Sequence, residues 1–419
     1  MNGNERMDVV VVGGGIIGLS IAWRARLSGL SVSVLERAEL GCGASHVAAG
    51  MLAPVAEVEF GAAGLRLLEL GRRSAAMWPA FAAELEDLTD IDLGMTSSGT
   101  MIVARDEDEA RELERQLAFR RSLGLEVERL RASEAREREP ALAPSLRLAL
   151  EAPDDHSVDP RCVLAALRAV CEAAGVALRE GVPVARVELD ATGARATGVL
   201  LAAGERVPAE RVVMAAGAWT EQIEGLEPAL RIPVRPVKGQ ILRLRDPAGP
   251  GLLRRILRFE GGYLVPRADG RYVLGATVEE RGFELAPTAG GVRELLREAH
   301  ELVPGVDELE IEELSVGLRP GSPDNAPIIG EATIEGLVWA SGHHRNGVLL
   351  APITAALVSE LLTGEPGSAV SPGAPDPLTA AELLDACSPA RFAPVAATVL
   401  AAATASPSAG APAPVGAGR

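Results

Sequence analysis

The sequence predicts an α/β protein: a parallel sheet assembled from separated parts of the chain, with a largely antiparallel sheet and its helices inserted into it. Three observations carry this. Asp8–Arg37 reads as strand, glycine turn, helix and second strand. Another apolar strand, "VVMAAGAWT" (Val212–Thr220), returns far downstream. Between them and beyond, Arg231–Val278 alternates and turns like paired antiparallel strands.

Each element has a local reason. Val9–Val12 is a continuous β-branched run, the mark of a strand buried on both faces. Gly13-Gly14-Gly15 follows, then Ile17, Ile21 and Ala25 recur at helical spacing until Gly29 can cap the helix. Val32, Val34 and Leu35 form the next strand, ending at Glu36. Leu65–Leu85 reads as a helix disturbed at Pro79. Asp106–Arg121 reads as a charged, exposed helix with Ala110, Leu113 and Leu117 inward. Asp159-Pro160 starts a helix that ends at Gly175. "RPVKGQILRLR" is strand-like, "GGYLVPRADGRYVLGATV" is a hairpin turning at Asp269-Gly270, and Thr288–Leu302 is a helix. "LVWASGHHRNGVLLAPITAALVSELL" is a strand, a polar turn and a buried helix starting at Gly347. After Gly364 the chain turns to Ala, Pro, Ser and Gly. Most of 365–419 is expected to be disordered, with a short helix near Val395–Ala403. The resulting division is 1–90, 151–225 and 325–364 for the nucleotide-binding domain, 91–150 and 226–324 for the substrate domain, and a tail from 365 to 419.

Bulk properties narrow the function. Hydrophobic residues make up 47 % of the 419, enough for a large core, and the net charge of −17 disfavours nucleic acid and anionic lipid as partners. Four cysteines form no CxxC pair and have no histidine cluster beside them, so reduced thiols, no structural zinc and a cytoplasmic setting are expected. No stretch is apolar and long enough to span a bilayer.

Gly13-x-Gly15-x-x-Gly18, placed between a strand and a helix, fits the Rossmann-type GxGxxG turn, with Ile16 and Ile17 at the helix start. The first glycine allows the turn, the second lets backbone approach a pyrophosphate, and the third lets helix and strand pack. Glu36 can accept bonds from ribose hydroxyls, with Arg37 beside it. The returning strand presents Ala216, Gly217 and Trp219, and a third glycine-rich turn, "SGHHRNG" (Ser341–Gly347), precedes the last helix. A long ligand touching three separated loops suits FAD better than NAD. Adjacent His343 and His344 diverge and lack an acidic partner, so no metal is expected there.

"VVVVGGGIIGLSIAW", "AAGMLAPVAEVE", "RPVKGQ", "GYLVPR", "GATVE", "VGLRPGSPDNAPIIG" and "SGHHRNGVLLAP" occur in an order that resembles the glycine oxidases (ThiO-like), in the D-amino-acid oxidase and sarcosine oxidase group, from about Val9 to about Leu362. The resemblance implies a GR2-like Rossmann-type FAD-binding domain and a substrate domain. It implies FAD-dependent oxidation of a small amino acid, with oxygen reduced to hydrogen peroxide and glycine leaving as an imine that hydrolyses to glyoxylate. It implies a homotetramer or dimer, and hand-off of the imine to a thiazole synthase of thiamine biosynthesis. Arg319 matches the arginine that grips the substrate carboxylate, Tyr263 the tyrosine that donates to it, and Arg345 an arginine near flavin and substrate. Ala48, Ala49, Gly50, Met51 and Leu52 match a segment along the flavin ring, Met51 also touching substrate. Val184 matches a position near the adenosine. Gly342, Arg345, Asn346, Gly347 and Val348 match the turn that presents N–H groups to the flavin's pyrimidine edge. The covalent-flavin branch uses a cysteine near "GLRP"; none stands there, so noncovalent FAD is expected. Gly261, Gly262 and Val278 depart from the pattern and enlarge the pocket, leaving sarcosine and small D-amino acids as competing substrates. A dehydrogenase passing electrons to a quinone, and a flavoprotein subunit without turnover, are the remaining alternatives.

Overall fold

The structure is a computed structural model that describes residues 6–365 and 379–392. Two eight-stranded sheets organise it. In the first, the order is Ile328–Glu331, Leu337–Ser341, Arg206–Met214, Met7–Val12, Val32–Leu35, Ala177–Arg179, with Ala196–Leu201 and Val184–Leu189 branching from Arg206–Met214. The central pairings are parallel, with Val10 opposite both Ser33 and Val212. Val9–Val12 is buried throughout, with Val9 and Val11 packed against helices and Val10 and Val12 against the antiparallel strands on the other face. The helix Ile16–Leu27 packs against this sheet and is buried along nearly all its length, including Ile17, Ile21 and Ala25. Gly29 beyond its end takes φ +89°, a left-handed conformation only glycine adopts cheaply.

The second sheet runs Glu310–Gly321, Arg235–Arg245, Arg271–Gly275, Gly262–Pro266, Ile256–Phe259, Thr100–Ala104, Leu148–Ala152, Glu128–Arg131. One pair, Ile256–Phe259 with Thr100–Ala104, is parallel; the other pairings are antiparallel. The helix Ala289–Leu302, capped by the Thr288 hydroxyl accepting from Gly291 N–H, packs on it through Leu295, Ala299 and Leu302. The fold is therefore the α/β architecture expected, with a parallel-centred sheet joined to a largely antiparallel one.

Several expectations need correction. The helix Ala62–Thr89 runs unbroken through Pro79. Trp78, Phe81 and Leu85 around the proline are buried, and their packing outweighs the lost backbone bond. The hairpin loop is Arg267–Gly270, four residues rather than a two-residue turn, with the left-handed φ of +85° at Gly270. The helix Glu107–Ser122 is not simply exposed, because Arg120 is buried. The last long helix begins at Ala351, not Gly347; residues 347–350 are a turn. Within the tail, Thr379 caps a helix Ala380–Cys387 that buries Leu383 and Cys387. Arg391 then bonds Asp324, so this part is ordered rather than disordered. The expected helix near Val395–Ala403 lies outside the described residues.

Candidate active site

The edges of both sheets open into one cavity of about 840 Å³, within the range of cofactor pockets. At one end lies the glycine cradle. Gly13 takes φ +110°, and a Cβ there would sit 2.4 Å from the Ala215 carbonyl. A Cβ on Gly18 would sit 1.9 Å from the Gly13 carbonyl, so this glycine lets helix and strand touch. Gly15 differs. Its Cβ would meet only Ser45 Oγ, at 3.3 Å, so the protein itself hardly requires glycine there, and the bare backbone faces the cavity. Gly15 gives the helix no side-chain cap; Ser45 Oγ accepts from Ile16 N–H at 3.1 Å, and the next N–H groups of the first turn are left to a ligand anion. Glu36 accepts from Gly14 N–H at 2.8 Å and Ala38 N–H at 3.0 Å. Those bonds fix the carboxylate at the wall, with lone pairs left for hydroxyl donors. Arg37 lies 4.6 Å over the Trp219 ring beside it. A phosphate cradle, a diol acceptor and a long apolar trough fit FAD.

At the other end stand Arg319 and Tyr263. Arg319 lies on Glu310–Gly321 opposite Val237, and its Nη1 donates to the carbonyls of Thr277 (3.1 Å) and Lys238 (3.4 Å). Both of these bonds leave from Nη1, and the guanidinium also interacts with the Tyr263 hydroxyl on the cavity wall. Two glycines make room: a Cβ on Gly239 would lie 2.5 Å from the Arg319 guanidinium, and one on Gly275 would lie 2.6 Å from Tyr263 Oη. Burial pushes the Tyr263 hydroxyl's pKa up, against the pull of Arg319, so it remains a donor. Burial also lowers the Arg319 pKa, Tyr263 opposing. His344 lines the same wall, held neutral with its pKa lowered to about 4 by burial and by Arg319 and Arg345.

A chain of charges crosses the cavity beside this pair. Arg258 Nη1 meets Glu57 at 3.0 Å, Glu57 reaches Arg345 Nε at 3.7 Å, and Arg345 Nη2 donates to Glu59. Glu57 and Arg258 were not singled out from the sequence, and His344 was weighed there only as a metal ligand. Charged residues are common and carry no local period, so nothing marks the few that a fold turns inward. Glu57 sits in a segment gripped from behind. Buried Asp155 accepts from the N–H groups of Val55 and Ala56, while buried Arg120 donates to both their carbonyls.

Of the residues expected at the site, Gly13, Gly15, Ile16, Ile17, Glu36, Arg37, Ala48, Ala49, Gly50, Met51, Val184, Ala216, Gly217, Trp219, Tyr263, Arg319, Arg345, Gly347 and Val348 line this cavity. Four do not. Leu52 points into the core, because Met51 and Leu52 form a short strand whose side chains alternate, Met51 taking the cavity side. Gly18 packs helix on strand. Gly342 holds a left-handed turn where a Cβ would lie 3.0 Å from Ile328. Asn346 lies beside a separate small pocket. Among the described residues no group of three or more His, Cys, Asp or Glu is placed to hold a metal, and no helix is long and apolar enough to cross a membrane. His343 is buried, with Nε2 3.0 Å from Thr354 Oγ1.

Residues 8–361 match the family described as "FAD dependent oxidoreductase" (DAO). The chain is 38 % identical over 360 residues to a glycine oxidase of Geobacillus kaustophilus, covering 85 % of this chain and 93 % of that protein. A solved glycine oxidase structure from that species superposes with a TM-score of 0.80 at 36 % identity, covering 86 % and 96 %. A bifunctional protein ThiO/ThiG of Synechocystis is 37 % identical, covering 92 % of this chain and 54 % of its own length. The solved iminodiacetate oxidase of Chelativorans is similar at 30 % identity and a TM-score of 0.77, covering 86 % and 96 %.

Proposed function

The chain belongs to the DAO family of FAD-dependent oxidoreductases and is an FAD-dependent amino-acid oxidase, and on that premise we propose that its substrate is glycine or another small amino acid. The observation that carries this reading is one cavity joining the glycine cradle to the Arg319–Tyr263 pair. FAD, when bound, supplies the two-electron acceptor. Gly13, Gly15, Glu36, Arg37, Ala216, Gly217 and Trp219 would hold its nucleotide end. Ala48–Met51 and the turn at Arg345–Val348 would flank the ring.

The protein's own contribution is position. Arg319 grips the substrate carboxylate through its guanidinium, and protonated Tyr263 donates to the same group. Anchored there, the substrate holds its amine and Cα in a fixed orientation, which removes much of the entropic barrier. Neutral His344 adds no positive charge beside an incoming cationic amine. Carbon–nitrogen oxidation yields the imine, water converts it to glyoxylate and ammonia, and oxygen leaves as hydrogen peroxide.

FAD would be held without a covalent bond. Cys42 lines the cavity, but at the Glu36 end, and burial with the Glu36 charge pushes its thiol pKa up. The four free cysteines suit a reducing compartment, the cytoplasm. The ThiO/ThiG relative supports passing the imine to a thiazole synthase. A second reading, N-methylglycine or a small D-amino acid as the preferred substrate, is favoured by the open wall. Gly261 has no atom within 4 Å of where a Cβ would be, and Val278 is 72 % exposed at the mouth.

The test is anaerobic bleaching of the yellow holoenzyme by glycine, sarcosine and D-alanine, with peroxide measured in air. Arg319→Ala should keep its FAD and raise KM on the order of 10²-fold. Unchanged amine turnover in that variant would reject the carboxylate clamp.

A further inference from the structure

The proposed reaction leaves one buried-edge acid unused: Glu57. It faces the same cavity as Arg319 and Tyr263, with its side chain 16 % exposed. It meets two of the three arginines on that wall, Arg258 and Arg345, and Glu59 takes the outer face of Arg345. Its own backbone N–H donates to Ala53, and the two residues before it are clamped by Asp155 and Arg120. Four backbone groups are committed to two buried side chains, Asp155 and Arg120, so the backbone that presents the carboxylate is fixed.

The charges around the anchor then balance in a specific way. Arg258, Arg319 and Arg345 carry three positive charges. Glu57 and Glu59 cancel two. The surplus of one matches a single carboxylate. A substrate with a second carboxylate would find Arg258 and Arg345 already occupied and a fixed negative charge between them.

We propose that Glu57 determines specificity by charge: it occupies Arg258 and Arg345, leaves Arg319 as the single free anchor, and excludes amines bearing a second carboxylate. This rests on the amino-acid oxidase reading above. With Glu57 neutral, Arg258 and Arg345 become a second anion site for the distal carboxylate of an N-carboxymethyl amine such as iminodiacetate.

The experiment compares the wild-type holoenzyme with Glu57→Gln and Glu57→Asp. The ratio of kcat/KM for iminodiacetate over sarcosine should rise about tenfold or more in Glu57→Gln, mainly through KM, and stay near the wild-type ratio in Glu57→Asp. Calorimetric titration with malonate and acetate gives a readout without turnover: Glu57→Gln should tighten malonate about tenfold and change acetate by less than about threefold. Should Glu57→Gln fail to retain FAD, Glu59→Gln serves instead, with a smaller rise of about threefold expected. An unchanged ratio in a folded variant, or a wild-type enzyme that oxidises iminodiacetate as readily as sarcosine, overturns the proposal. If the wild type oxidises neither amine, the oxidase reading fails, and malonate against acetate alone decides the charge selectivity.

Discussion

Gly239 carries no side chain so that Arg319 can lie flat beside it. Gly239→Ala would put a methyl carbon 2.5 Å from a guanidinium that can move, rather than from rigid backbone. The variant should fold, lose little thermal stability, and raise KM about 10- to 100-fold by displacing the anchor; steady-state kinetics beside a melting curve check this. His343 gives a prediction in pH. Burial lowers its pKa to about 3 from the ordinary 6.5, so the native state holds it neutral. Below 6.5 the unfolded chain takes up a proton that the folded one refuses. Its contribution to stability is therefore complete above pH 6.5 and is lost as pH falls toward 3, by about 1.4 kcal/mol per pH unit. Denaturant titrations of wild type and His343→Gln between pH 6.5 and 4.5 should show the smaller slope in the variant. Gly13, Gly15 and Glu36 were legible at this scale because each answers a local demand, a turn, a close approach or a strand end. Arg319 and Tyr263 were legible only through the resemblance, since an arginine before proline and a strand tyrosine look the same in any core. Glu57 and Arg120 were not legible at all: their roles exist only once distant segments meet.

At the scale of elements, the turn carrying Glu57 packs on Leu113 and Leu117 of the Glu107–Ser122 helix and is hydrogen-bonded to it through Arg120. Arg120→Ala would strip two carbonyls of their donor and leave Asp155 without its nearby counter-charge. A loss of about 3 kcal/mol in folding free energy is expected, measurable by urea titration. The mouth of the cavity has a comparable pin. Lys238 is fully buried, donates to the Ala286 carbonyl at 2.7 Å and lies 3.8 Å from Glu279 and Glu284. Exposed Phe283 packs on Trp219 at 5.9 Å, so this loop joins the substrate end to the nucleotide end. Lys238→Met should loosen the loop and accelerate its proteolysis while the sheets persist. Helix starts at Asp159 and Thr288 were readable from their capping side chains. The continuity of Ala62–Thr89 through Pro79 was not, because tertiary packing outweighs the local rule. The ordered Ala380–Cys387 segment was also missed. Its composition resembles a linker, and its reason for ordering, the Arg391 bonds to Asp324 and Ala326, is not local in sequence.

For the whole molecule, the cavity is walled by both sheets, so a ligand filling it ties them together. FAD at a hundredfold excess over its Kd should stabilise the apoprotein by about 2.7 kcal/mol, and both sheets should melt in one transition shifted upward. The fold class was readable because a doubly buried strand, a glycine turn and a returning strand each leave a plain apolar signature. The strand order across the second sheet was not, since hydrophobic alternation fixes faces and says nothing about neighbours. That order has a consequence during synthesis. Met7–Val12 leaves the ribosome early, yet its partner Arg206–Met214 and the adjoining Leu337–Ser341 emerge last among the central strands. The opening strand therefore waits, unpaired on one edge, until residues 206–214 are made, and that strand in turn waits for Leu337–Ser341. Nascent chains stalled before Leu337 should be captured by holdase chaperones, and release should coincide with the emergence of that final strand.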